Sequence, residues 1–148
     1  DWADTTMAST CKKVLITSAL ENPQLRSALL PDDFPSSIKG VIDKLPFNNV
    51  SKLSNIVLSN KNNIDLQKIL EALSKSLINK EFLIGDTLSI ADISIAAQLS
   101  LLKFPTSAGP ILAGEGCQEF INNPYLENIF QWRDNLEELI FSAKSQKI

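Results

Sequence analysis

Ser89 stands three residues ahead of Asp92, and the stretch that follows, Ile93 to Leu102, carries no charge. A helix start leaves backbone N–H groups without intrahelical acceptors, and a Ser and an acid at this spacing satisfy them reciprocally as a capping box. Leu88 just before the Ser and Ile93 just after the Asp supply a hydrophobic staple, which sets the angle at which the chain enters the helix. Ile93, Ile95, Ala96, Ala97, Leu99, Leu101 and Leu102 cover the whole circumference of the helix that results. A helix that is apolar all round is expected to be buried all round, so the rest of the chain must sheathe it.

The remaining pattern is helical as well. Trp2, Met7, Cys11, Val14, Leu15 and Ser18 fall near one face of a first helix over 1–20, which Asn22-Pro23 ends because proline removes a donor and turns its predecessor away from helical backbone. Since the chain opens on Asp1 with this helix under way, it reads as a fragment of a longer protein. Residues 24–30 have room for two turns before Pro31. Ser36 or Ser37 caps a short helix bearing Ile38, Val41, Ile42 and Leu45, and another follows over 49–59. The polar run 60–63 reads as a loop, and Asp65 as the cap of a helix with Leu66, Ile69, Leu70, Leu73 and Leu77 on one stripe. After the uncharged helix, the glycines and prolines of 105–116 form a loop with room for one turn at 117–121. Asn123 and Pro124 then start a last long helix with Leu126, Ile129, Phe130, Arg133, Leu136 and Ile140 on one face. No long period-two alternation and no Asn-Gly or Asp-Gly hairpin occurs. The expectation is an all-α bundle, one domain over 1–148, around a buried central helix starting near Ser89.

Several classes of function drop out. With no histidine and with Cys11 and Cys117 far apart, zinc sites and His-based triads cannot be assembled, and two buried free thiols in the cytoplasm are expected. A net charge of −3 with scattered lysines leaves no footprint for nucleic acid. The longest apolar stretch is too short to span a bilayer, so membrane association is not expected.

Gly85 to Asp92, read as Gly-Asp-x-Leu-Ser-x-Ala-Asp behind the apolar Phe82-Leu83-Ile84, resembles the segment that opens the core helix in the C-terminal domain of glutathione transferases. A Trp-bearing opening helix and the terminal segment NPYLENIFQWRDNL stand in matching order, while residues 21–64 form an extra helical segment relative to the common pattern. The resemblance implies a second domain whose partner is an N-terminal thioredoxin-like domain, absent from this chain, that binds glutathione as co-substrate. The helical domain would then contribute the wall against which a hydrophobic electrophile lies, with Trp2, Met7, Cys11 and Phe104 as candidates and no catalytic residue of its own. A homodimer is compatible with it. The structural motif is Gly85, Leu88, Ser89, Asp92 and Ile93. The alternative is a non-catalytic docking module, as this fold serves in translation factors and synthetase assemblies.

Overall fold

Asn22 decides how the first two helices meet. The chain enters through a π-helical turn, Ala3–Met7, and continues as α1, Ala8–Glu21, in a computed structural model that describes residues 3–31 and 60–145. At Asn22 the backbone turns extended (φ −116°, ψ 106°), and its side-chain oxygen accepts from the N–H groups of Gln24 and Leu25 at 3.0 and 3.2 Å. Pro23, with no donor to lose, occupies the first position of α2, Pro23–Ala28. Trp2 and the short helices expected within 36–59 lie outside the described residues.

The third helix, α3, spans Asn60–Ser76 and corrects the expected loop at 60–63. Asp65 therefore stands exposed inside the helix and is not its cap. Asn and Lys differ from the best helix formers by only fractions of a kcal/mol, too little to stop a helix anchored by the turns that follow. Leu66 and Leu70 are buried along it and Leu77 just past its end, whereas Ile69 is exposed, so the apolar stripe is narrower than the sequence pattern indicates. The central helix α4 spans Ile90–Leu102 with Ser89 as its N-cap, as expected. A single helical turn, Gln118–Ile121 (α5), and a 3₁₀ turn, Pro124–Leu126, lead into α6, Glu127–Ser145. Asn123 accepts from the Tyr125 N–H at 2.9 Å and donates to Glu71 of α3 at 2.9 Å, which ties the start of the last helix to its neighbour.

Among the described residues the fold is helical with no strand, only an isolated bridge between Lys103 and Gly116. The core gathers Met7 at the end of the π-helical turn, Cys11 and Val14 of α1, Leu66 and Leu70 of α3, Leu99 and Leu102 of α4, and Ile129, Phe130 and Leu136 of α6. Each such fully buried aliphatic side chain is worth about 1.5–3 kcal/mol relative to exposure. α4 packs against α1 on one side and α6 on another, and α6 packs in turn on α3. The expectation that α4 is sheathed on every side needs correction. Asp92, Ile95, Ala96, Leu99 and Leu102 are buried, but Ile90, Ile93 and Ala97 are exposed along the opposite face.

Behind α4 the chain doubles back. Phe104 N–H donates to Glu115 C=O at 2.8 Å, Gly114 N–H to Phe104 C=O at 2.9 Å, and Cys117 N–H to Leu102 C=O at 2.8 Å. Gly116 sits so close to the helix end that a Cβ there would lie 2.2 Å from the Leu102 carbonyl oxygen. Backbone, unlike a flexible side-chain tip, cannot move aside. Gly116→Ala is therefore expected to lower stability by about 1–3 kcal/mol, read as a reduced urea midpoint at unchanged slope. An unchanged midpoint would show that the returning segment is free to shift.

Candidate functional site

The start of α4 is built around one carboxylate. Asp92 is fully buried; one oxygen accepts from the Ser89 N–H at 2.8 Å and the Ser89 hydroxyl at 2.5 Å. Its other oxygen reaches back nine residues to the Leu83 N–H at 2.7 Å. Both halves of the capping box are formed, so the local signature at Ser89 and Asp92 is realised. The added bond to Leu83 makes Asp92 the anchor of the whole loop between α3 and α4, a role the spacing alone does not announce. Phe82 is buried beneath that loop, and the indole N–H of Trp132 donates to the Glu81 carbonyl at 2.8 Å. Gly85 supplies the left-handed turn (φ 69°) that an L side chain adopts only at a cost.

With its two ends fastened, the loop holds apolar groups outward. Ile84 is 72% exposed and Ile90 81%, and Leu88 and Ile93, the two staple residues, are also exposed. Isolated apolar side chains on a surface are ordinary, but four exposed within one short stretch around a helix start supply apolar surface of the sort an interaction site uses.

Electrostatics at this junction follow from its hydrogen bonds. Burial works to raise the Asp92 pKa, yet bonds from the Leu83 N–H, the Ser89 hydroxyl and N–H, and its own N–H outweigh it and hold the carboxyl below the ordinary value. The far end of α4 has the opposite charge. Arg133 of α6, fully buried, donates through Nη1 to the Lys103 carbonyl at the helix C-cap and pairs with Asp134 at 2.8 Å. The Arg133 guanidinium and the Lys103 ammonium each lie 5.5 Å from the centre of the Phe130 ring.

The expected wall residues fall in different places. Trp2 lies outside the described residues. Met7 and Cys11 are 1% and 0% exposed and pack one turn apart within the core. Phe104 is half-buried in the segment that leaves α4. Burial, with a smaller contribution from nearby Cys117, pushes the Cys11 thiol up to about 12; burial pushes Cys117 to about 11, partly offset by the Ser18 hydroxyl. Thiols in that range stay protonated and are poor nucleophiles at neutral pH.

A cleft of about 600 Å³ opens elsewhere, between the segment after α3 and the flank of α6. Leu77, Trp132 and Leu136 line it as buried groups, and the charged residues around it are Lys80, Glu81 and Glu138. Glutathione carries two carboxylates and one ammonium, so a cleft with two acids and one base does not fit it. Among the described residues no group of three His, Cys, Asp or Glu is placed to hold a metal ion, and no helix is long and apolar enough to cross a membrane. Comparison with protein-family models, with curated proteins and with solved structures finds no match.

Sequence reasoning missed Trp132, Arg133 as a clamp, and Gly116. Arg133 carried a usable signal, since a cation in the apolar register of a helix demands a buried partner.

Asp92→Asn is expected to cost about 2–4 kcal/mol near neutral pH, against about 1 kcal/mol for Ser89→Ala. Because the folded-state pKa lies below the unfolded one, the ionised carboxylate stabilises the fold above the ordinary Asp value of about 3.9, and this is lost as pH falls through the lower folded value. Urea midpoints of parent and Asp92→Asn should therefore converge on acidification below about pH 4. A gap that stays constant with pH would contradict the ionised anchor.

Proposed function

We propose that this chain is the helical second domain of a glutathione transferase-type protein and works packed against a thioredoxin-like domain that binds glutathione. The observation that carries the reading is the start of α4: a capping box whose acid also pins the preceding loop, with Ile84, Leu88, Ile90 and Ile93 held outward around it. Such a surface has the apolar character a covering domain requires, and fixing the loop beforehand lowers the entropy cost of docking. Neither of its thiols is an activated nucleophile, since both are buried and held protonated. Its part in the reaction is positional: it offers apolar surface beside the co-substrate while the partner domain holds the sulfur, a proximity effect.

The test compares this chain with the gene product that includes the sequence upstream of Asp1. The longer protein is expected to encode a thioredoxin-like domain and to be retained on immobilised glutathione, and the chain alone to pass through. Retention of the chain alone, or an upstream sequence of another kind, would overturn the reading; a synthetase or translation-factor domain upstream would transfer it to the docking module. A surface substitution adds a second readout. Ile90→Asp should leave the chain's own unfolding midpoint within about 0.5 kcal/mol of the parent, since the side chain is exposed, while weakening glutathione retention of the longer protein. Unchanged retention would remove α4 from the interface.

A further inference from the structure

We propose that the cleft between the segment after α3 and the flank of α6 binds an extended peptide segment that carries an aliphatic side chain next to basic residues. The cleft uses other residues than the exposed apolar groups at the α4 start and does not rest on the function proposed above. Three observations favour this occupant.

The first is shape. The α6 residues lining the cleft run from Asn128 to Ser142, about 21 Å of helix at about 1.5 Å per residue. That length matches about six residues of extended chain. A groove of this form suits a strand better than a compact metabolite.

The second is the inventory of polar groups. Asn128 spends its amide NH₂ on the Ser74 carbonyl at 2.7 Å, which leaves its Oδ1 as an acceptor. Gln131 spends its NH₂ on Asn135 Oδ1 at 3.0 Å, which leaves Gln131 Oε1 as an acceptor and the Asn135 NH₂ as a donor. One rim of the cleft therefore offers both acceptors and donors from neutral amides. A peptide backbone, with one donor and one acceptor per residue, is complementary to such a rim. Beneath the rim, Leu77 and Leu136 form an apolar floor and Leu139, partly exposed, a wall, which together accommodate an aliphatic side chain.

The third is charge. Glu81 and Glu138 line the cleft against Lys80 alone, an excess of acid that favours a lysine or arginine beside the anchored side chain. The same balance disfavours acidic peptides and carboxylate ligands.

The chain reports on its own cleft. It has two tryptophans, and Trp132 lines the cleft with its indole N–H fixed on the Glu81 carbonyl. In a Trp2→Phe background, an acetylated and amidated heptapeptide with a central leucine flanked by lysines is titrated against Trp132 fluorescence. A saturable change is expected with a Kd of about 10–100 μM. Replacing the peptide's leucine by aspartate, or its lysines by glutamates, should weaken binding by about tenfold or more. Glu138→Lys and Leu139→Asp in the protein should do the same while melting with the parent, since both side chains are exposed. No saturable response to about 1 mM peptide, or a response indifferent to both protein substitutions, would overturn the proposal. So would saturation by a neutral trisaccharide such as maltotriose in place of the peptide.

Discussion

The fold depends on two buried charges that hold one apolar helix at its ends. α4 carries no ionisable group after Asp92, and its buried face fits α1 and α6 through Ile95, Ala96, Leu99 and Leu102. Apolar packing of this kind is non-directional and leaves a helix free to slide or rotate at small cost. Asp92 at the N-terminus and Arg133 at the C-terminal carbonyls remove that freedom, because each is a buried charged group whose burial is offset only while its hydrogen-bond and ion-pair partners stay in place. Their signs match the helix dipole, negative where the N–H groups point and positive where the carbonyls point.

The same clamps organise the surroundings. Asp92 fastens the loop after α3 through Leu83, and Trp132 secures it again through Glu81. Arg133 bonds to Lys103, next to the Leu102 carbonyl on which Cys117 closes the returning segment and against which Gly116 must be bare. The rigid centre thus extends into two loops, and the outward apolar groups of the first are presented on a fixed frame. A domain of this construction is suited to hold surfaces in place, and its two thiols are buried and held protonated.

What the sequence disclosed follows the range of each interaction. The cap at Ser89, the Asn22-Pro23 break and the Asn123-Pro124 start all lie within a few residues of the groups they satisfy, and each was legible. Asp92's bond to Leu83 and Arg133's to Lys103 join residues that only the tertiary fold brings together, so the pattern located the side chains but not their partners. The start of α3 was misread because composition argues about local preference and the helix is fixed by packing further along. The exposed face of α4 was misread for a different reason. An all-apolar circumference states that a helix needs cover on every side, and it does not state that this chain supplies it. Met7 and Cys11 illustrate the converse, since an apolar register at the chain's opening fits a core as well as a binding wall, and here it is core.

Amide hydrogen exchange followed by NMR tests the clamp most directly, since it reads each bond at its own donor. The Leu83 and Ser89 N–H groups lie in or beside a loop with no regular structure, yet both donate to the buried Asp92 carboxylate. They are expected to exchange as slowly as the interior amides of α4, through global unfolding, and to lose that protection selectively in Asp92→Asn. Exchange of both amides at the rate of an open loop in the parent protein would contradict the account.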